Sequence, residues 1–97
     1  MKVLAIEKDN KMINQENGQN ILAEEAKSVY NLYLNNFIRE IYFTESHNAV
    51  LILECKNKEK AADLLRELPL VKNNFIEFEL AELRPYTGFS RLFKDKI

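Results

Sequence analysis

The sequence is poor in the residues that build metal centres, phosphate loops and disulfide frameworks. Its 97 residues include one cysteine, one histidine, two glycines and two prolines. The single thiol, Cys55, cannot close an internal disulfide, and within a strand-like run it reads as a small buried apolar residue rather than a nucleophile. One histidine and one cysteine do not assemble a usual zinc site, so no metal is expected. Two glycines leave no Gly-rich phosphate loop, no Ser/His/Asp order stands out, and no cofactor is expected. No segment approaches the roughly 20 apolar residues needed to span a bilayer. The apolar run Val3–Ile6 is too short for a signal peptide, which places the chain in the cytoplasm as an expectation. Neither charge dominates: 14 basic residues face 15 acidic ones, for a net charge of −1. That balance gives no general attraction to nucleic acid or to an anionic membrane.

What is present is ordinary globular material, 46% hydrophobic and 30% charged. The length fits a single domain, 1–97, with one core. A domain of this size buries only about 60–65% of its unfolded surface, so association with a second copy would add stability.

Val3–Ile6 reads as a first strand, followed by a polar loop over 9–20. From 21 to 36, Leu22, Ala26, Val29, Tyr30, Tyr33 and Leu34 recur at helical spacing and predict one buried stripe, stopped by Asn35 and Asn36. Residues 37–43 read as a strand with Phe37, Arg39, Ile41 and Phe43 on one side and Ile38, Glu40 and Tyr42 on the other. After a polar turn over 44–48, residues 49–55 are apolar on both faces, which predicts a strand that is either central or covered twice. Asn57 is a good N-cap for a second amphipathic helix carrying Ala61, Ala62, Leu64, Leu65 and Leu68, ended at Pro69. Residues 75–83 alternate, with Ile76, Phe78 and Leu80 opposite Glu77, Glu79 and Ala81, and Pro85 closes this last strand.

The order is βαββαβ, without linker or internal repeat, and it predicts an α+β, ferredoxin-like domain. The expected sheet has four antiparallel strands, the first and last central, with two helices on one face. Two helices leave the other face bare, a mixed apolar and charged surface set out by Phe75, Glu77, Glu79, Ala81 and Leu83. A second copy would cover it, giving a homodimer or a higher oligomer. The apolar tail 85–97 either clasps that partner or folds back on its own subunit.

The stretch from Phe37 to Leu80 resembles the muconolactone isomerase-like family of the dimeric α+β barrel superfamily. The resemblance lies in Arg39-x-x-Tyr42, in His47 ahead of Ala49, in Glu67-Leu68-Pro69-Leu70, and in the acidic–apolar strand that follows. The tail Pro85–Phe93 looks like that of other small proteins of the superfamily. The resemblance implies a barrel dimer, sometimes assembled into rings, and proton transfer within an unsaturated lactone in a pocket between sheet and neighbouring subunit. The chain departs from the family in its first strand, first loop and tail, so the lactone is not carried over. Relatives of this fold also include cofactor-free oxygenases and haem-handling proteins, and a fold does not choose among them.

Among residues that could carry chemistry, His47 is either a general acid or base or an exposed turn residue. Arg39 either clamps a substrate carboxylate or bridges to Glu77 or Glu79. Glu77 and Glu79, with Glu7 beside them, form either a carboxylate cluster with raised pKa values or a solvated face. Glu54 stands alone in an apolar strand with the same two readings. Tyr42, Tyr86, Tyr30 and Tyr33 either line a pocket or fill the core, while Glu24 and Glu25 read as favourable charges at a helix start. Two functions follow. One is a cofactor-free isomerase acting by proton transfer on a small acidic or carbonyl-bearing molecule, with His47, Glu77 and Glu79 reactive and Arg39, Tyr42, Glu54 and Tyr86 binding. The other is a non-catalytic small-ligand-binding or assembly module. RNA binding is not expected, because the sheet lacks paired aromatics on a basic surface.

Overall fold

The computed structural model describes residues 1–9 and 15–93. Strand β1 (Lys2–Asp9) is followed by helix α1 (Gln15–Leu34), the hairpin strands β2 (Ile38–Phe43) and β3 (Ala49–Glu54), helix α2 (Lys58–Arg66), a one-turn helix α3 (Pro69–Lys72) and strand β4 (Ile76–Leu83). A 3₁₀ segment, Gly88–Leu92, lies in the tail. The architecture is the expected α+β, ferredoxin-like arrangement.

The sheet order is β2-β3-β1-β4, antiparallel throughout. The central strands are therefore β1 and β3, not the first and last: β4 forms one edge and β2 the other. Each helical crossover steps over one strand position, and the other half of the chain fills the gap. Alternation along β1 sends Val3 and Ala5 into the core, where both are fully buried. They meet Leu51 and Leu53 of β3, with Ile38, Ala61, Leu65 and Leu68 closing the cluster. Cys55 belongs to this core, and burial pushes its thiol pKa up, as befits an inert apolar residue.

The structure departs from the sequence pattern at three further places. In β2 a bulge at Arg39 inserts one residue, so Ile38 pairs with Leu53 and the phase then shifts. Ile38, Ile41 and Phe43 consequently share the helix-covered face, although simple alternation separates Ile38 from the other two. Helix α1 begins at Gln15, inside the stretch expected as loop, while residues 10–14 lie outside the described residues. Pro69 starts α3 rather than ending a helix, because a first-turn proline loses no helical hydrogen bond.

Both helix-to-strand junctions are built alike. Asn36 and Asn74 adopt left-handed backbone conformations, φ 67° and 61°. In each case two bonds close the helix end: Asn36 N–H to Tyr33 O and Phe37 N–H to Leu32 O, then Asn74 N–H to Val71 O and Phe75 N–H to Leu70 O. The same tetrapeptide, Asn-Asn-Phe-Ile, occupies 35–38 and 73–76. This short internal repeat, not anticipated above, marks the equivalent corner of the two halves.

The second face of the sheet carries Leu4 and Ile6 of β1, Val50 and Ile52 of β3, and Ala81 and Leu83 of β4, with no helix among the described residues over them. Beyond β4 the tail stands off the body, with Tyr86, Phe89 and Leu92 exposed at 71%, 67% and 72%. The radius of gyration, 16.7 Å, exceeds the ~13 Å usual for a compact chain of about 100 residues. Tyr86 packs edge-on against Phe89 at 5.0 Å and lies over Gly88, where any Cβ would meet its ring.

Candidate functional site

Between α1 and the helix-covered face of the sheet lies a cavity of about 990 Å³. It falls at the upper end of the ~300–1,000 Å³ common for ligand sites. Its helical wall is the α1 stripe Leu22, Ala26, Val29, Tyr30 and Tyr33, together with Glu25. The opposite wall comes from Ile41 and Phe43 of β2, Leu51 of β3 and Phe78 of β4. The stripe that reads as core is thus a cavity wall, and Leu22 and Tyr33 remain 48% and 51% exposed. Apolar spacing on a helix looks the same whether it faces packed side chains or an open space.

Three polar groups enter this apolar lining from different elements. Glu7 stands on the helix-covered face of β1, in phase with Val3 and Ala5, and its Oε1 accepts the N–H of Ala49 at 3.0 Å. That hydrogen bond ties β1 to the start of β3. Glu25 projects from α1, and its Oε1 accepts the N–H of Leu70 at 2.9 Å. Burial raises the pKa of Glu25, and the Leu70 N–H opposes that rise only in part. An α1 starting at Gln15 sets Glu25 well past the first turn, so it is not the helix-start charge that its sequence position first implies. His47 lies at the hairpin turn with left-handed φ of 67°. Its N–H bonds to Thr44 O at 2.8 Å, and its ring stacks on Phe43 with centroids 4.2 Å apart, which aims the imidazole along the cavity rim.

The candidate residues do not gather at one place on the subunit. His47 lines the cavity. Glu77 and Glu79 stand on the opposite, uncovered face, and Glu7 is on the other side of the sheet from them. Lys8 bridges Glu79 at 2.8 Å and holds its carboxyl below the usual range, the reverse of the rise expected from clustered acids. Arg39 sits at the bulge and donates to Asn36 O at 3.0 Å; it makes no bridge to either glutamate. Tyr42 donates to Glu40 at 2.7 Å, and this bond raises the phenol pKa. Glu54 pairs with the amino group of Met1 at 2.6 Å, which lowers its pKa. Tyr86 belongs to the exposed tail. Glu25 is the residue that sequence reasoning missed. The available signal was its place four residues before Val29 and three after Leu22, within the apolar stripe.

Among the described residues, no group of three or more His, Cys, Asp or Glu side chains is placed to hold a metal ion. No helix among them is long and apolar enough to cross a membrane.

With this geometry in view, the fold has clear structural counterparts. The chain is similar to muconolactone isomerase, with a TM-score of 0.76 at 14% identity, covering 91% of this chain and 93% of that one. It is also similar to the 5-chloro-2-hydroxyhydroquinone dehydrochlorinase of Burkholderia phenoliruptrix AC1100, solved in complex with 2,5-dihydroxybenzoquinone. There the TM-score is 0.60 at 15% identity, covering 91% and 98% of the two chains. No family model matches the sequence, and no curated protein matches it. At such identities the likeness is one of fold alone: the subunit shares the fold of muconolactone isomerase.

Proposed function

We propose that this chain is a cofactor-independent isomerase that moves a proton within a small carbonyl-bearing molecule bound between α1 and the sheet. The observation that carries the reading is Glu25, a half-buried acid set in an apolar cavity wall with its pKa raised by burial. A carboxyl poised closer to neutrality than an exposed one both accepts and returns a proton efficiently. In this reading Glu25 takes the acidic proton beside the carbonyl. His47 at the rim and Glu7 on the facing strand are the groups that receive or orient the developing hydroxyl. The aromatic and aliphatic walls hold the ring and displace water. Two structural neighbours named as an isomerase and a dehydrochlorinase support a ring-sized ligand.

The test is exchange of the acidic proton of lactones and cyclic enones with deuterium. Wild type is expected to catalyse it, and Glu25→Gln to slow it about 10²- to 10⁴-fold. Absence of exchange in wild type, with a cavity ligand still raising the melting temperature, replaces the enzyme by a ligand-binding module.

The bare sheet face favours self-association as part of the same proposal. Leu4, Ile6, Val50 and Ile52 lie there without cover, and the tail aromatics stand ready to reach a neighbouring copy. A homodimer joined through this face is expected in sedimentation, with Ile52→Lys shifting it to monomer. A folded wild-type monomer at micromolar concentration contradicts this part. A cytoplasmic location completes the proposal and is open to test by cell fractionation.

A further inference from the structure

The one-turn helix beside the cavity carries the reading one step further. α3 opens without a cap of its own. Its N-cap residue, Leu68, makes no side-chain hydrogen bond to the helix, and Pro69 brings no N–H. Leu70 therefore carries the first amide proton of the turn, and because Leu70 is buried that proton needs an acceptor within the protein. Glu25 supplies it from 45 residues away: its Oε1 accepts the Leu70 N–H at 2.9 Å. The bond does two things to the carboxyl. It holds Oε1 in place, and, since an N–H favours the charged form, it restrains the rise in pKa that burial causes. Among the described residues Glu25 makes no other hydrogen bond or ion pair, so Oε2 is the oxygen left for a ligand. The other titratable groups around it are Glu7 and His47 on the sheet side of the cavity, Tyr30 and Tyr33 on its own helix, and Lys72 of α3, which bridges Glu67 at 3.3 Å.

We infer that α3 is the positioning device of the site: the Leu70 N–H fixes Glu25 through Oε1, so that Oε2 is the oxygen that meets the bound molecule. This deepens the proposed function and rests on it for the reaction. In that isomerisation Oε2 takes a proton from the carbon beside the carbonyl, and the C–H electron pair passes into the enolate. The O–H so formed then returns the proton at the new carbon, which regenerates the carboxylate. Leu70 touches no reacting atom and acts through Glu25 alone.

The experiment removes that one N–H and keeps the side chain. In the full chain, assembled by ligation at Cys55, the Leu70 amide is replaced by an ester (Leu70→leucic acid). Deuterium exchange on the lactone or enone is then followed against pH. The plateau rate is expected to fall roughly tenfold or more, because the base is no longer held. The low-pH limb of the profile should move to higher pH, because the carboxyl has lost the donor that favours its charged form. Loss of that limb in Glu25→Gln assigns it to Glu25. An ester chain with unchanged rate and unchanged limb overturns the inference. A second measurement stands even if the ester chain fails to fold. In wild type the Leu70 amide proton resonance should shift downfield as Glu25 ionises, and in Glu25→Gln it should stay flat. A flat Leu70 resonance in wild type also overturns the inference. The two readings part cleanly. A titrating Leu70 amide without exchange by wild type on any lactone or enone removes the isomerase and keeps the held carboxyl. Exchange that is indifferent to the ester, in rate and in limb, does the opposite.

Discussion

Leu65 on α2 is 3% exposed, whereas Leu22 on α1 is 48% exposed, although both belong to apolar stripes of helical spacing in equivalent halves of the same topology. The α2 half is solid: Ala61, Leu65 and Leu68 are buried in one cluster with Val3 and Leu53. The α1 half is looser: Val29 and Leu32 pack against that cluster, whereas Leu22, Ala26, Tyr30 and Tyr33 line the cavity. One half is packed solid and the other borders an open cavity. That difference marks the location of the site more clearly than any single motif.

The comparison breaks if both halves respond alike to truncation. Leu65→Ala is expected to cost about 3 kcal/mol in urea unfolding, because it leaves a void in packed surroundings. Leu22→Ala should cost about 1 kcal/mol or less, since its side chain already borders open space. Equal losses would mean that α1 packs as tightly as α2. Next in size are the two matching corners. Asn36→Ala and Asn74→Ala should each lose about 1 kcal/mol, because alanine resists the left-handed backbone, while the glycine replacements should stay near wild type. A clear difference between the two corners would break the equivalence of the halves.

Smaller still is the effect of the acid in the cavity wall. Glu25 has a folded pKa raised above its unfolded value, so the folded state binds the extra proton between the two. Stability from this group therefore falls as pH rises through that window, and above it the charged form is a burden. Glu25→Gln should raise the melting temperature by a few degrees at pH 7.5, with the gain fading as pH drops below the ordinary carboxylate value. A gain that persists at acid pH would place the effect in packing, not charge. Smallest is Lys8→Met on the uncovered face, where an exposed pair with Glu79 should leave the melting temperature of the subunit within error.

Much of the fold was legible because strands and helices write their periods directly: the β4 alternation and the Asn57 cap both follow from residue order. Strand neighbours were not, since alternation tells which side a residue faces but not which strand lies beside it. The bulge at Arg39 was hidden for a related reason, because a single inserted residue reverses phase without changing composition. The site was least legible. His47 was readable as a lone imidazole in a turn, but the place of Glu25 in the cavity wall depended on where α1 begins and on a gap between elements, neither of which side-chain spacing encodes. The repeated Asn-Asn-Phe-Ile was plain in the letters and acquires meaning only as two identical corners.

One outer strand of the sheet has a bearing on how the protein behaves when concentrated. β4 runs for eight residues with one flank unpaired, an inviting template for cross-strand stacking between molecules. Glu77, Glu79 and Glu82 stud that strand with negative charge, and Arg84 followed by Pro85 terminates it. Like charges brought edge to edge repel, so these acids act as sentries against fibril growth.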